Sequence, residues 1–297
     1  MALLVGDIGG TNARFGIYDH GLKKVRSMCT PCSSDFISLL KEYLTSVSAT
    51  QCCLAVAGPV VRNRVEMTNA DLVVDAHEIM RRTGLKDVVL LNDFASLGFG
   101  VNLLRDRDVH VIQKGVQVRH GTKAVMGAGT GLGKSILTYS SGRYVPLASE
   151  GGHADLVLDH SKIRAFLMKR KKRELVYEDV LSGKGLSLIF EFFSGKKVDA
   201  SEVFSFRKSA AGKKTVALFV SVYARACRNF ALETLCTGGL YLAGGIAVKH
   251  PWLFGADFKK EFRRGPLQKT LRSIPIYLIR NEHVGLLGAS VAYSHFR

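Results

Sequence analysis

Three glycine-rich stretches hold the residues of this chain best suited to chemistry on phosphate. DIGGTN, residues 7–12, sets an acid before a glycine pair and a hydroxyl and an amide after it. GAGTGLGKS, residues 127–135, and LAGGIA, residues 242–247, are the other two. Glycine lacks Cβ and tolerates positive φ, so backbone N–H groups in such turns can approach a phosphate closely. An acid beside the turn can hold a hydrated magnesium ion, and Thr11 and Asn12 can donate to phosphate oxygens. Any one of these turns could close a hairpin without a ligand. Three of them, one led by an acid, point to nucleotide binding.

Within the second stretch, AGTGLGKS fits the looser form of the Walker A phosphate loop, [AG]-x4-G-K-[ST]. That loop must open a helix, whose N-terminus supplies the amides and the dipole. Here Ile136, Thr138 and Tyr139 favour a strand, and a Ser-Ser-Gly turn follows at once. The sequence therefore predicts a hairpin turn that meets a phosphate from the side. Lys134 then either reaches a phosphate or points to solvent.

The elements that carry these turns follow from pattern. Apolar or alternating runs at 2–6, 13–19 and 24–29 predict a three-strand meander. SSDFISLLKEYLTSV is a helix with Ser33, Ser34 or Asp35 as cap. QCCLAVAG and residues 88–91 are continuous apolar runs suited to buried parallel strands, the second ending on Asn92-Asp93. A short helix at 75–83 lies between them. KAVMGAG, KSILTYS and RYVPLAS restart the strand–turn–strand pattern. Helices are predicted near 161–173, 177–194 and 213–236, the last apolar almost all round and so buried between layers. GGLYLAGGIA reads as strand–turn–helix, IPIYLI as a strand and VGLLGASVAYSHF as a last helix. The hairpins at 6–12 and 127–134 begin about 120 residues apart, a weak internal repeat. They imply an α/β protein with two similar sheets and a cleft between them.

DIGGTNAR, LLNDFA, GAGTGLG, SEGGHAD, VLSGKGL, LAGGI and GLLGA occur in that order. With them the chain resembles the bacterial-type glucokinases of the actin/hexokinase/heat-shock-70 ATPase superfamily, from Leu4 to near Tyr293. DIGGTN alone is shared with other sugar kinases, whereas LLNDFA together with SEGGHAD is far more specific. The CxCGxxGC zinc motif of ROK-type sugar kinases is absent. The resemblance implies two ribonuclease-H-like (actin/hexokinase-type) α/β domains, a small one of 1–103 plus 281–297 and a large one of 104–280. It implies an ATP- and Mg2+-dependent kinase that phosphorylates the C6 hydroxyl of glucose. By position, Gly6, Asp7, Ile8, Gly9, Gly10 and Thr11 would form the first phosphate loop, with Asp7 reaching magnesium only through water. Gly129, Thr130 and Gly131 would form the second, and Gly244 and Gly245 would lie against the adenosine. Asp93 would be the catalytic base, and Asn92, Glu150, His153 and Glu178 would hold the sugar hydroxyls.

The residue types suit those roles. A sugar both donates and accepts, so its site needs carboxylates, amides and imidazole. Phosphoryl transfer needs positioning, charge neutralisation and a carboxylate to take the hydroxyl proton. An Asp with its reference pKa of about 4 is ionised at neutral pH and can do this. Each residue also has a plain structural alternative. Asp93 could cap a helix starting at Phe94, His153 could be a satisfied core histidine, and Glu178 could be a first-turn helix acid. The motifs around Asp93 and His153 favour the catalytic reading, and Glu178 rests on the VLSG match alone. Two departures from the resemblance stand out. Lys134 replaces a small or apolar residue, and MTNADLVVD lacks the His and Trp that relatives often carry. Alternatives are a kinase for another hexose or hexosamine, or a catalytically weak sugar-sensing or nucleic-acid-binding relative. Intact Asp93, Glu150 and His153 favour the kinase.

Composition narrows the class. The 297 residues are 47% hydrophobic and 23% charged, as in a globular protein. The longest uncharged stretch, residues 43–61, is rich in Ser and Thr and broken by Gly58-Pro59, so no bilayer span is expected. MALLVGDIGG lacks a basic n-region and runs straight into a motif, so no signal peptide is expected and the cytoplasm follows by default. Of six cysteines, Cys29 and Cys32 form a CxxC, but Cys52-Cys53 are adjacent and suit chelation poorly. Reduced thiols are expected. The net charge is +17, and its densest run, KRKKR at 169–173, falls at the end of a predicted helix. Cations suit that position, and no aromatic residues interleave them, so a solvated helix end is expected rather than a nucleic-acid site. ATP binding does not require such an excess. A homodimer is the assembly such relatives often form.

Overall fold

The computed structural model describes all residues except Met1, Pro31, Cys32, Thr68 and Asn69, and for Ser33 and Ser34 the backbone only. The Cys32 half of the CxxC, the caps at Ser33 or Ser34 and part of MTNADLVVD thus lie outside the described residues. The chain forms two bodies. One comprises Met1–Asp108, Leu137–Ala148 and Asn281–Arg297, and the other Val109–Ile136 and Ser149–Arg280. Among the described residues no helix is long and apolar enough to cross a membrane.

In the first body the predicted meander is β1 (Leu3–Ile8), β2 (Asn12–Tyr18) and β3 (Leu22–Cys29). It is followed by α1 (Ser33–Thr45), β4 (Gln51–Val56), a two-stranded ribbon of β5 (Arg64–Glu66) and β6 (Val73–Asp75), α2 (Ala76–Thr83), β7 (Asp87–Asn92) and α3 (Asp93–Val101). The sheet order is β3-β2-β1-β4-β7, with β1, β4 and β7 parallel. Successive residues of a strand face opposite sides, so β1 feeds two cores. Leu4 and Ile8 pack with Phe36, Leu40 and Tyr43 of α1, and Leu3 and Val5 pack with Phe99 of α3 and Leu286 and Ala289 of the C-terminal helix Val284–Phe296. Glycine lets that helix lie against α3: a Cβ on Gly288 would sit 1.8 Å from the Ser96 carbonyl oxygen, and one on Gly100 would sit 2.2 Å from that of Val284.

The second sheet contains β8 (Val109–Gln113), β9 (Lys123–Ala128), β10 (Leu132–Ser140), β11 (Arg143–Ser149), β12 (Gly239–Ala243) and β13 (Ile276–Ile279), in the order β11-β10-β9-β12-β13-β8. Without β8 this is the order of the first sheet, so the weak repeat is a repeat of topology. The chain after Lys134 continues as strand β10, and no helix opens there. The helices are α4 (Ser161–Lys171), α5 (Gly183–Ser194), α6 (Ala200–Val203), α7 (Ala210–Thr234), α8 (Gly245–Lys249), α9 (Ala256–Phe262) and α10 (Gln268–Ser273).

Three expectations change. The helix predicted at 177–194 is a 3-10 turn, Tyr177–Asp179, followed by α5, because Ser182 caps a new helix by accepting from the Gly185 N–H at 3.1 Å. The long helix α7 is not apolar all round. Val222, Tyr223, Cys227 and Phe230 are buried, but Lys213, Lys214, Ala217 and Ser221 are exposed. Strand β8, antiparallel to β13, was not anticipated: it is short, and its Val111 is exposed.

Candidate active site

The first glycine turn sits at the carboxyl end of β1. The register aligns Ile8 with Val56 and Val56 with Asn92, so the ends of β1, β4 and β7 form one edge. Asn92 therefore stands two strand spacings, about 10 Å, from Ile8 along that edge. Gly9 N–H donates to the Asn12 carbonyl at 2.9 Å, and Thr30 ties the turn down, Oγ1 to the Gly9 carbonyl at 2.6 Å and N–H to that of Thr11 at 3.0 Å. Gly6, Gly9 and Gly10 do not adopt positive φ. Here glycine serves through its missing side chain and not through left-handed backbone.

Asp7 faces Arg14 across the hairpin, Oδ2 to the guanidinium at 3.8 Å. A Cβ on Gly285 would come within 2.8 Å of Asp7 Oδ2, so the GLLGA glycine leaves room for this carboxylate. Burial pushes the Asp7 carboxyl above its ordinary range, with Arg14 pulling the other way. Arg14 and Gly285 were not singled out as site residues. The period-2 register of DIGGTNAR could have identified Arg14, since a two-residue turn at Gly10-Thr11 sets Gly9 opposite Asn12 and Asp7 opposite Arg14.

At the end of β7, Asn92 is buried and caps α3. Its Oδ1 accepts from Phe94 N–H at 3.0 Å and Ala95 N–H at 3.1 Å, and Nδ2 donates to the Gly58 carbonyl at 3.1 Å. The cap is thus Asn92, and the helix begins at Asp93. One Nδ2 hydrogen is left beyond these bonds. Asp93 is half-buried in the first turn, where the helix dipole favours an anion, and its Oδ1 accepts from Phe94 N–H at 2.9 Å.

The second glycine turn gathers three distant motifs. Gly129 N–H closes the turn on the Gly131 carbonyl at 2.8 Å. From VLSGKGL, Gly183 N–H donates to the Gly129 carbonyl at 2.9 Å, and Glu178 Oε2 accepts from Leu132 N–H at 2.8 Å. From SEGGHAD, Gly152 lies so close that a Cβ there would be 1.9 Å from the Leu132 carbonyl oxygen. From LAGGI, Gly244 has φ +90° and its Cβ would meet the Ala128 carbonyl at 2.4 Å, so only glycine fits. Gly129 and Gly245 differ: a Cβ on either would have nothing within 4 Å. Neither packing nor positive φ calls for glycine at these two positions. Thr130 and Gly131 complete the turn, half-buried.

Glu150 and His153 are exposed: Glu150 precedes the 3-10 turn Gly151–His153 and His153 ends it, its N–H donating to the Glu150 carbonyl at 2.9 Å. The core-histidine alternative for His153 is therefore excluded. Glu178 lies on a 3-10 turn, not in the first turn of a helix, and one of its oxygens is engaged with the hairpin backbone.

Lys134 follows neither expected course. It is 4% exposed, with Nζ 5.1 Å from the ring centres of both Tyr177 and Phe230. A Cβ on Gly151 would lie 3.0 Å from its Cδ. Burial lowers its pKa, opposed by Glu233 and Cys227. The strand alternation that turns Gly133 one way turns Lys134 the other, into the layer beneath the SEGGHAD turn. The KRKKR run is likewise less solvated than expected. Lys171 and Arg173 hold buried Asp179 at 2.9 and 2.8 Å, and Arg170 pairs with Glu191. Burial raises the Asp179 carboxyl, but the Val176 N–H and these cations outweigh it and bring it below the ordinary range.

The site residues thus form two groups, one in each body, both at glycine turns on the carboxyl edges of parallel strands, the edge where open α/β sheets bind ligands. Comparison with known proteins agrees with this architecture. The chain matches the family described as Glucokinase over residues 4–296. It is similar to a glucokinase of Nostoc punctiforme, 29% identical over 97% of this chain and 98% of that protein. A glucokinase of Neisseria meningitidis is 32% identical over 99% and 95%. Among solved structures, a glucokinase from an Antarctic psychrotroph superposes with a TM-score of 0.82 at 26% identity, covering 99% of each chain. A ROK family glucokinase from Streptomyces griseus, in complex with glucose and AMPPNP, shares the fold with a TM-score of 0.69 at 17% identity, covering 98% of this chain and 99% of that one.

Proposed function

The chain belongs to the glucokinase family, and on that premise we propose that it transfers the γ-phosphoryl group of MgATP to the C6 hydroxyl of D-glucose, with Asp93 as general base. Asp93 takes the hydroxyl proton as the oxygen attacks the γ-phosphorus, and ADP and glucose 6-phosphate leave. The observation that carries this reading is the second glycine turn. Backbone from VLSGKGL, SEGGHAD and LAGGI is fastened to it, and Gly129 and Gly245 beside it have no structural need to be glycine. Bare backbone there suits ligand approach: Gly129, Thr130 and Gly131 to phosphate, Gly244 and Gly245 to adenosine.

Gly6, Ile8, Gly9, Gly10 and Thr11 would serve as the first phosphate loop. Among the described residues no three His, Cys, Asp or Glu side chains gather as a metal cluster. Asp7, partly exposed and given room by Gly285, fits a single carboxylate that meets the magnesium of MgATP through water. Exposed Glu150 and His153 would bind sugar hydroxyls, Glu178 through its remaining oxygen and Asn92 through its remaining amide hydrogen. Such an enzyme would work in the cytoplasm at the entry to glycolysis.

The test is ADP release from MgATP across a panel of glucose, mannose, glucosamine and N-acylated hexosamines. Glucose should give the highest kcat/KM. Preference for another hexose would keep the kinase and change its substrate. ATP turnover that no sugar stimulates would overturn the reading.

A further inference from the structure

The +17 charge has no use in the chemistry above, and part of it is concentrated in one place. Within the second body, α7, α9 and α10 border a groove of about 1500 Å³. Seven of its lining residues are Lys or Arg and two are acidic. One of the acids, Glu261, is already engaged by Arg228 at 3.1 Å and Arg264 at 3.6 Å. Among the described residues, no carboxylate lies within ion-pair distance of Lys213, Lys259 or Lys260. The floor is apolar, with Val220 and Leu253 buried. At its side stands Trp252, 45% exposed, with the Arg207 guanidinium 6.0 Å over its ring. No glycine of the three phosphate-type turns lines this groove.

We propose that the groove binds single-stranded nucleic acid. Cations above an apolar floor match a chain of phosphates with bases beneath, and a base can extend the Trp252–Arg207 stack by lying on the guanidinium plane. A duplex keeps its bases stacked within and offers no free base face to the indole. The KRKKR run differs: three of its cations are held by acids, and Arg170, the one set over an aromatic ring (Phe166), is among them.

Trp252 is the only tryptophan of the chain, so tryptophan fluorescence, excited selectively over the nine tyrosines, reports on this groove. The full chain is titrated with a thymidylate oligonucleotide of about 12 nucleotides, within the site sizes of single-strand grooves. Quenching should saturate, and the affinity should fall with salt at a log–log slope of about −2 to −3 if three or four phosphates are neutralised. The triple variant K213E/K260E/R272E should weaken binding at least about tenfold. K162E/K169E/K197E, which makes the same charge change at exposed positions elsewhere, should weaken it much less. Both triple variants should keep glucose-dependent ADP release, which separates failure here from failure of the kinase reading. Equal loss in both would mean general charge and overturn the proposal. So would quenching by MgATP in place of the oligonucleotide, or binding to anionic phospholipid vesicles with none to the oligonucleotide.

Discussion

The two glycine turns occupy equivalent places, yet they are built differently. The first, at the end of β1, carries its chemistry in side chains: Asp7 on the strand, Arg14 opposite it and Gly285 making room. The second, at the end of β9, has no acid of its own and presents backbone, held by Glu178, Gly152, Gly183 and Gly244 from motifs far along the chain. A duplicated topology therefore does not duplicate a site. The charge a turn can offer depends on which residues the neighbouring strand and loops bring to it. Conserving the turn's shape and supplying its charge are separate tasks.

Four substitutions test that contrast. The largest effect is expected at Gly152. Ala there must push apart the SEGGHAD turn and the Leu132 carbonyl, costing about 1–3 kcal/mol or more, so the thermal midpoint should drop by several degrees. A midpoint unchanged from wild type would show that this contact does not fasten the loop.

Asp7→Asn comes next and should move function and stability in opposite directions. The KM for MgATP should rise about tenfold or more if the carboxylate meets the metal-bound water. A carboxyl held above its ordinary value by burial destabilises the fold wherever it is ionised, and this penalty fades as pH falls towards the ordinary value. The variant should therefore melt higher than wild type at pH 7 and converge with it in acid. Lower melting at pH 7 would mean that the pairing with Arg14 outweighs the burial.

Gly129→Ala is the counterpart of the Gly152 change. Its Cβ meets nothing, so stability should hold or rise by up to about 1 kcal/mol. The KM for ATP should still increase several-fold. A variant with ordinary ATP kinetics would make Gly129 a neutral hairpin residue.

Lys134→Ala should have the smallest effect. Since the ammonium lies under the turn that carries Glu150 and His153, the KM for sugar should rise modestly and that for ATP should stay put. A rise for ATP alone would contradict this placement.

Much of the frame could be read from residues alone. The buried parallel strands β4, β7, β9 and β12 show as continuous apolar runs, and the meander shows as alternation between glycine turns. Strand β8 and helices α9 and α10 did not, because all three are short, and in α9 charged residues outnumber apolar ones. The position of Asp93 at a strand end was legible. That Asn92, not Asp93, caps α3 was not, because both residue types can cap and only geometry distinguishes them. The contact of Glu178 with Leu132 spans 46 residues, and nothing local in VLSG or its flanks announces it. Lys134 was misplaced for the same reason. Its surroundings are Tyr177 and Phe230, which no window around GKS contains.

The role proposed for Asp93 is to take the proton from the sugar hydroxyl. It is tested most directly by the kcat of Asp93→Asn at saturating glucose and MgATP, with the thermal midpoint measured on the same sample. The substitution keeps the shape and can still accept from Phe94 N–H, so the fold should be unchanged. The prediction is a fall in kcat of about 10²–10⁴-fold with an unshifted midpoint. A kcat close to wild type would contradict the assignment of Asp93 as the base.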